Sequence, residues 1–582
     1  MNNSRRDIFK FAGGAVAGAF FTPAPWRLIT DTALWSENWP GIPRPARGEI
    51  RAKFTNCALC PAGCAVRARC VGEQPVSLAG VRGGLCPFGL SAHQLPFHPA
   101  RLKQGPIQEA TAAVAKRSPE GIAVLDLNPG RTVSWTYRRA MAALKGLYLA
   151  PDSQPAAYDL SAAKTVLGIG APLLDGWGTP ANVIAARQNF RLIQAEAVES
   201  RTAVLADEWI PLAPGTERAF AQEILGALKG ERPSAAAKQL AADGTSLVLG
   251  DAPEIPEINR LLGAYGKTIV APSEAPVPES WSKSAAAITR LAAVPDRSIR
   301  VLLIDESAAA SYIPWHLIEP KLTADNPLVV TFAATRGGYA RHAQFALPIA
   351  VFPELTDDIA PAVDSVHPTF RISVPLVTPL AGLANPADFV GALAGVSASN
   401  SLRERADAIH KTGLGSVLTY ADGKETPVKD LTPDAFWKSL TSGAKWDRPP
   451  GLSACQPATG RPCFGGLSTP SSPAEPLEAS PDLNLIAIRE PHNPALGSPL
   501  MTKLYQESNL RLAPNRVALH PDEARAANLS NGARATLHTR IGWCSVEVTV
   551  DPAVPPGAVQ VGSSPGIQDV CGPAARAKVV RA

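Results

Sequence analysis

Long apolar runs are scarce in this sequence of 582 residues. Beyond residue 25, no segment approaches the roughly 20 apolar residues that a bilayer span requires. Charge of one sign is not concentrated either, because the net charge is only +5 and no basic stripe carries interleaved aromatic side chains. We therefore expect no contact with nucleic acid. The turn at Gly168-Ile-Gly170 does not continue into Gly-x-Gly-x-x-Gly, which argues against a nicotinamide-dependent dehydrogenase.

Cysteine is also uncommon, with nine residues in the chain, but four of them are closely grouped. Cys57, Cys60 and Cys64 are spaced so that their thiols can lie on one tight loop, and Cys86 follows after 21 intervening residues. Four thiolates grouped three plus one are typical of proteins that bind a [4Fe–4S] cluster. We therefore predict that Cys57, Cys60, Cys64 and Cys86 are its ligands.

Zinc binding and disulfide formation stay open as alternative roles of this cysteine group. Zinc also accepts four sulfurs, but it usually draws them from two Cys-x-x-Cys pairs, and this chain has no second pair beside the first. A disulfide-stapled loop would suit an exported protein, although a bridge between the first two thiols would be strained. Pro61 follows Cys60 where a c-type haem site needs His. We expect Cys70 to be a packed bystander, while Cys455 and Cys463 either pair or stay free.

The first 25 residues are predicted to be a targeting segment and are kept apart from the fold. Arg5 and Arg6 form a twin-arginine signature, and a weakly apolar stretch follows over 11–21. This route exports proteins that have already folded, which suits a cofactor inserted in the cytoplasm. We expect a periplasmic protein, peripheral on the outer face of the cytoplasmic membrane, with the leader either cleaved near Ala24 or retained as an anchor.

An α/β fold is predicted beyond residue 106, because short apolar runs bounded by Gly and Pro alternate with segments of helical pattern. The strands include Thr202–Leu205, a helix is predicted over Trp135–Leu149, and Asp357 and Asp358 are expected in a solvated turn. The sequence pattern predicts a signal (1–25), a small [4Fe–4S] domain (49–106), an α/β region (107–445), a Pro-, Gly- and Ser-rich linker (446–480) and a C-terminal β-barrel (481–582).

This order of parts resembles the molybdopterin oxidoreductase family, the dimethyl-sulfoxide-reductase-like enzymes. Besides the cysteine group, the similarity rests on short segments that follow one another as in the family: 97–102, 167–177, 207–216, 343–354 and 517–542. The resemblance implies two doubly wound α/β modules and a double-psi-type barrel that binds a pterin dinucleotide. The first module would be discontinuous (107–165 plus 326–445), and the second would lie between its two parts (166–325). In working members, an iron–sulfur cluster passes electrons to molybdenum or tungsten held by two such dinucleotides.

Two departures from the family pattern bear on that metal. The family usually has Lys or Arg two residues after the fourth cysteine, whereas this chain has Phe88, which can neither carry charge nor hydrogen-bond a pterin. The family's metal ligand falls in the first module, yet no cysteine occurs between Ile107 and Lys164. We therefore expect a member without molybdenum, and a molybdenum bis-pterin dinucleotide with an atypical ligand is the alternative.

The resemblance also implies a biological setting. Molybdenum-free relatives are periplasmic subunits of alternative complex III and of the quinone reductase complex. We therefore predict an electron-transfer or scaffold subunit of a membrane respiratory complex. The expected partners are a ferredoxin-like iron–sulfur subunit, a cytochrome c subunit and an integral membrane quinone-binding subunit. The alternatives are a catalytic molybdenum or tungsten oxidoreductase that acts on a small substrate, and a structural protein that holds zinc or no metal.

Overall fold

The computed structural model describes residues 14, 18, 48–81, 84–98, 100–117, 120–151, 157–270, 274–307, 312–362, 364–448, 483–487, 515–562, 564–571 and 576–582. Almost all of the predicted signal and linker lie outside these residues, as do Cys455 and Cys463. None of the helices in these ranges has both the length and the apolar character needed to cross a membrane.

The residues around the cysteine motif form a three-stranded antiparallel sheet, called the N-terminal sheet below. Its strands are Ile50–Asn56, Ala65–Val71 and Gln74–Gly80. One face of the middle strand is buried, because every second side chain is apolar and covered: Val66, Ala68 and Cys70. Cys70 is thus a fully buried core residue.

A six-stranded parallel sheet follows. In spatial order its strands are Ile288–Thr289, Leu147–Leu149, Ile122–Asp126, Val301–Asp305, Leu328–Ala333 and Phe345–Pro348. Alternate side chains of a central strand enter two different apolar cores: Val301 and Leu303 pack on one face, and Leu302 and Ile304 on the other. Burial on both faces explains why this strand reads as a continuous apolar run.

The second module is built around a separate four-stranded parallel sheet. Its strands, in spatial order, are Ser246–Gly250, Thr165–Ile169, Arg191–Glu196 and Glu208–Pro211. A short antiparallel pair, Ala157–Tyr158 with Ile269–Val270, lies at the two ends of this part of the chain. Its apolar core contains residues from 158 to 269 only, so this module has a core of its own.

The α-helices of the described residues cover the sheets and the barrel. They are Pro87–Ser91, Ile107–Ala115, Thr132–Leu144, Pro180–Ala186, Arg201–Leu205, Glu217–Leu228, Ala235–Ala242, Ile255–Leu261, Glu279–Lys283, Trp315–Ile318, Pro386–Leu393, Ser401–Lys411, Pro433–Thr441, Pro521–Ala526 and Pro565–Cys571. Short 3₁₀ turns lie at Ala92–Phe97, Arg187–Asn189, Leu291–Ala293, Glu319–Lys321, Tyr339–Arg341 and Val428–Asp430, and one π turn at Leu173–Trp177.

Two local predictions were wrong. The predicted strand Thr202–Leu205 lies in a helix, because the Ser200 hydroxyl accepts hydrogen bonds from two N–H groups of its first turn. The predicted helix Trp135–Leu149 ends at Leu144, where Lys145 adopts a left-handed conformation with φ of 53°, and a strand follows. In both places a short-range capping geometry decides the outcome.

The module boundaries also differ from the predicted ones. Strands Ile288–Thr289 and Val301–Asp305 fall inside the range predicted for the second module, yet they pair within the six-stranded sheet. Residues 357–447, predicted as part of the first α/β module, instead contain a five-stranded antiparallel sheet. Its strands, in spatial order, are Asp357–Asp358, Thr369–Ser373, Ala444–Asp447, Ser416–Thr419 and Glu425–Pro427.

The C-terminal part forms the predicted β-barrel. Six strands close on one another in the order Leu483–Ala487, Ala558–Val561, Arg516–Leu519, Trp543–Val550, Arg534–His538 and Arg576–Arg581. Alternating apolar side chains such as Val517, Leu519, Val546 and Val548 fill its interior. Closure leaves no unpaired strand edge in this barrel.

Candidate metal centre

Three of the four predicted ligands lie on the turn that joins the first two strands of the N-terminal sheet. Cys57 directly follows the first strand, and Cys64 directly precedes the second. The Cys57 N–H donates to the Cys64 carbonyl at 2.9 Å, and a loop N–H donates to the Cys60 carbonyl at 3.2 Å. The strand ladder thus brings both ends of the motif together and folds the residues between them into a tight loop.

The fourth predicted ligand, Cys86, is the N-cap residue of the helix Pro87–Ser91. Its Sγ accepts a hydrogen bond from the Gly89 N–H at 3.4 Å, and its carbonyl accepts one from the Leu90 N–H at 3.0 Å. Phe88, in the position where the family has a basic residue, packs against the core below the cysteine loop. The cap therefore holds Cys86 at the start of this helix.

All four thiols are free, and neighbouring thiols affect the ionisation of Cys57, Cys60 and Cys64. Burial raises the pKa of Cys60 to about 12, with the Cys64 thiol adding to the shift. Burial likewise raises the pKa of Cys64 to about 11, with Cys86 adding to it. Burial and the other three thiols together raise the pKa of Cys57. The loop and the start of the helix Pro87–Ser91 thus supply four sulfur donors, whose protons a metal would displace on binding.

These donors match an iron–sulfur cluster in number and in chemistry. The described residues nevertheless contain no group of three or more His, Cys, Asp or Glu side chains arranged so that it could hold a metal ion. The identity of Cys57, Cys60, Cys64 and Cys86 as ligands therefore stays a prediction. It rests on donor chemistry and on proximity.

An arginine that the sequence did not single out borders the loop. The Nη1 group of Arg371 donates to the carbonyl oxygens of Ala62 at 2.7 Å and of Gly63 at 3.0 Å. Burial and the Cys86 thiol raise the pKa of Cys64, and the positive charge of Arg371 opposes them. A positive charge therefore faces the sulfur group from the antiparallel sheet.

A buried carboxylate, that of Asp364, connects the second module to the same neighbourhood. Asp364 accepts hydrogen bonds from the Thr179 N–H at 2.7 Å and from the Thr179 hydroxyl at 2.6 Å. Its negative charge contributes to the raised pKa of Cys60, after burial and the neighbouring thiols. The start of the helix Pro180–Ala186 is thereby held beside the cysteine loop.

The six-stranded sheet has a topological switch point between the strands Ile122–Asp126 and Val301–Asp305, since the other strands are added on opposite sides of this pair. Ligands of open α/β sheets bind beyond the carboxyl ends of the strands at such a point. Both strands end there in a buried aspartate, Asp126 and Asp305. This crevice is where the sheet would receive a ligand.

Arg131 fills that crevice. Its side chain is 1% exposed, and its guanidinium lies 2.8 Å from the Asp305 carboxylate. It also lies 2.6 Å from the Asp357 carboxylate and 3.6 Å from that of Asp126. The Tyr137 hydroxyl donates to Asp305 at 2.9 Å. The chain's own ion pairs thus occupy the space beyond these strand ends.

Asp357 and Asp358 do not lie in the solvated turn that the sequence predicts. They form a strand, and the Asp358 carboxylate lies 2.8 Å from Arg405, with both side chains almost fully buried. Burial raises the pKa of Asp357 to about 8; Arg131 opposes this shift, whereas the carboxylates of Asp358 and Asp305 add to it. Carboxylates outnumber guanidinium groups in this network, so the pKa of Asp357 is raised despite the short contact with Arg131.

Another buried ion pair joins two of the segments on which the family resemblance rests. Arg101, from the segment after the cysteines, donates to both carboxylate oxygens of Glu354, with Nη1 at 2.8 Å from Oε1. Arg101 also donates to the Pro96 carbonyl at 3.0 Å. The end of the cysteine-bearing domain is thereby fixed to the segment after the six-stranded sheet.

Sequence reasoning identified none of the three arginines that organise this region: the buried Arg131 and Arg405, and the half-buried Arg371. Arg131 carries a weak signal, because it follows a predicted apolar strand and an Asn-Pro-Gly turn at the expected ligand edge of a sheet. Arg371 and Arg405 carry none. Their partners lie far away along the chain, so only the folded structure brings the charges together.

Comparisons with known proteins agree with the resemblance drawn from the sequence. The family model of the Molydopterin dinucleotide binding domain matches residues 497–575, within the barrel region. The fold is similar to that of acetylene hydratase from Pelobacter acetylenicus, with a TM-score of 0.60 and 14% identity over 91% of this chain and 100% of the other. At this identity, the likeness supports the fold alone.

A curated relative adds a closer match in sequence. The chain is 30% identical, over 281 aligned residues, to the menaquinone reductase molybdopterin-binding-like subunit of Nitratidesulfovibrio vulgaris strain Hildenborough. The match covers 37% of this chain and 38% of that relative. The predicted resemblance to the molybdopterin oxidoreductases is therefore confirmed.

Proposed function

We propose that this chain, which resembles the molybdopterin oxidoreductases, is an iron–sulfur electron-transfer or scaffold subunit of a quinone-linked respiratory complex and carries no molybdenum chemistry of its own. The observation that carries the proposal is the gathering of Cys57, Cys60, Cys64 and Cys86 around one loop. Four such thiolates would hold a [4Fe–4S] cluster, which supplies one-electron transfer when bound.

The filled crevice of the six-stranded sheet supports the second half of the proposal. A bis-pterin cofactor is large and needs a deep, dry cleft. Arg131 and its carboxylate partners, Asp126, Asp305 and Asp357, occupy the switch point where this sheet would offer one. Phe88 also stands at the position where the family has the basic residue that would connect a cluster to a pterin. The filled switch point and Phe88 both support a chain without such a cofactor.

The proposed complex is suggested by the named relative, and the proposed location by the predicted signal segment. The Nitratidesulfovibrio vulgaris protein is a menaquinone reductase subunit by name. We extend a quinone-linked, multisubunit role to this chain, with a ferredoxin-like iron–sulfur subunit, a cytochrome c subunit and an integral membrane subunit as partners. A periplasmic location is part of the proposal, and the twin-arginine signature at Arg5 and Arg6 supports it.

A second candidate is a catalytic molybdenum or tungsten oxidoreductase. The match of residues 497–575 to a pterin-dinucleotide-binding domain favours it, since the barrel would then bind a pterin. Metal analysis separates the two candidates. Roughly four iron and four acid-labile sulfide per chain, without molybdenum or tungsten, are expected from the proposal. About one molybdenum or tungsten per chain would establish the second candidate, and zinc without sulfide would exclude both.

Single cysteine variants test the ligand set on the full chain, produced with its own maturation machinery. Cys60→Ala should abolish the visible absorbance of the cluster and most of the bound iron. Cys70→Ala, in the neighbouring strand and outside the set, should keep both. Equal iron content in the two variants would remove the ligand assignment.

Co-purification tests the proposed partners. The chain should be recovered from solubilised membranes together with a haem protein and a further iron–sulfur protein. Recovery as a single soluble chain under the same conditions would contradict the role as a subunit.

A further inference from the structure

Arg371 is placed against the cysteine loop by long-range folding alone. It lies on the strand Thr369–Ser373, about 300 residues after the loop, and its Nη1 group donates to the Ala62 and Gly63 carbonyls. These two carbonyls belong to the turn between Cys60 and Cys64. The guanidinium is therefore anchored to the peptide units that carry two of the predicted ligands.

None of the Arg371 nitrogens forms an ion pair with a carboxylate of the described part of the chain. Its Nε is buried and has no hydrogen-bond partner among those residues. Burying a single N–H donor without a hydrogen-bond partner is unfavourable. Arg101 and Arg131, which are buried, have carboxylate partners instead. Arg371 thus retains both a charge and a donor that can act on an anionic group at the loop.

The loop itself is shaped to admit the guanidinium. Gly63 has φ of +55°, a region that disfavours other residues. A Cβ at this position would lie 2.7 Å from Arg371 Nη1 and 3.2 Å from Ile359 Cγ2. Glycine is therefore required both by the backbone and by the close approach of the arginine.

We infer that Arg371 is a positioning residue of the iron–sulfur site, which raises the reduction potential of the cluster by stabilising its reduced form. This inference rests on the proposed function, because it requires that the cluster is bound. A cluster held by four thiolates is anionic, and reduction adds one electron and hence one more negative charge. A fixed positive charge favours that form. Arg371 would thus provide, from the antiparallel sheet, a positive charge that Phe88 does not provide at the family's usual position.

The test is a redox titration of the full-length, cluster-loaded protein, followed by the electron paramagnetic resonance signal of the reduced cluster with dithionite as electron donor. Arg371→Met keeps the length of the stem and removes the charge. We expect its midpoint potential to fall by an amount that corresponds to about a tenfold weaker equilibrium for reduction, roughly 59 mV for a one-electron couple. The iron content should stay near that of the wild type.

Arg67→Met is the matched control. Arg67 lies three residues after Cys64 on the exposed face of its strand, so its charge is screened by water. Its removal should leave the midpoint unchanged. Arg371→Lys keeps the positive charge but loses the planar guanidinium that hydrogen-bonds both loop carbonyls. Its midpoint potential should therefore lie between those of the wild type and Arg371→Met.

The outcomes separate this inference from the proposed function. Absence of iron from the wild type would overturn the proposed function itself. An unchanged midpoint in Arg371→Met with full iron content would overturn only the role of Arg371, as would an equal fall in Arg67→Met. If Arg371→Met does not load a cluster, Arg371→Lys decides: a lowered midpoint supports the inference, and a wild-type midpoint contradicts it.

Discussion

Arg101 and Glu354 form a two-pronged ion pair in which the side chains are only 1% and 2% exposed. The two residues are 253 positions apart. The pair fixes the end of the cysteine-bearing domain to the segment that follows the six-stranded sheet. Since both charges are removed from water, burying either of them is costly unless the other is present to neutralise it.

Glu354→Gln should therefore destabilise the protein by about 3–5 kcal/mol, because the Arg101 charge would stay buried without a counter-charge. Urea unfolding followed by circular dichroism measures this loss. Glu73→Gln is the control, since Glu73 pairs with Lys53 at the surface and should leave the unfolding midpoint unchanged.

Replacing both partners, in Arg101→Leu with Glu354→Leu, should restore much of the lost stability, because no charge is then left buried alone. If the double variant is less stable than Glu354→Gln, the unpaired charge of Arg101 is not the cause of the lost stability.

The ion network at the switch point should make stability depend on pH. Burial raises the pKa of Asp357 to about 8 from an ordinary value of 3.8, so the folded protein holds a proton that the unfolded chain releases. The free energy of unfolding should thus fall as the pH rises from about 4 to about 8. Asp357→Asn should flatten this part of the profile.

Asp325→Asn serves as the control for Asp357→Asn, because Asp325 is exposed. Urea midpoints measured at intervals across this pH range give the comparison. The same slope in Asp357→Asn and in the wild type would show that Asp357 does not hold the proton.

Gly63→Ala should destabilise the protein by more than the positive φ of this residue alone would cost. Gly63 and Gly382 both have positive φ, but a Cβ at Gly382 would meet nothing within 4 Å. Gly382→Ala should destabilise the protein by roughly 1–2 kcal/mol, the usual penalty of a left-handed residue. Gly63→Ala should lose more in the urea midpoint and also lose iron, because the Cβ would displace Arg371. Equal losses in the two variants would contradict the close approach.

Asp569 connects the barrel helix Pro565–Cys571 to the region after the central strands of the six-stranded sheet. Its carboxylate accepts hydrogen bonds from the Tyr312 hydroxyl at 2.8 Å, the Trp315 N–H at 2.9 Å and Arg341 Nη2 at 2.6 Å. Burial raises the pKa of Asp569, but these contacts and His342 outweigh it and leave the pKa below its ordinary value. The connection should hold at neutral pH and weaken in acid, as the pH falls through the lowered pKa.

Asp569→Asn should therefore speed amide hydrogen exchange over residues 312–318 at neutral pH, because the barrel is held less firmly. Asp522→Asn, on the exposed barrel helix Pro521–Ala526, should leave exchange in that segment at its wild-type rate. Unchanged exchange in Asp569→Asn would show that other contacts hold the barrel.

Much of the fold could be predicted from local pattern. The apolar runs Ile122–Asp126, Ser246–Gly250 and Val301–Asp305 are strands, because side chains buried on both faces leave a continuous apolar signal. Arg191–Glu196 escaped notice for the converse reason: Gln194 and Glu196 interrupt its apolar pattern, although both are buried and hydrogen-bond each other at 2.8 Å.

The sequence by itself determined which residues can form the sulfur site, since the spacing of Cys57, Cys60 and Cys64 confines three thiols to one turn. It also determined the barrel and the family resemblance, because those depend on short segments in a given order. Only the tertiary structure decided that Arg131 fills the sheet's crevice and that Arg371 faces the loop. Their partners are distant along the chain, and electrostatic contacts depend on distance in space, which no local pattern encodes.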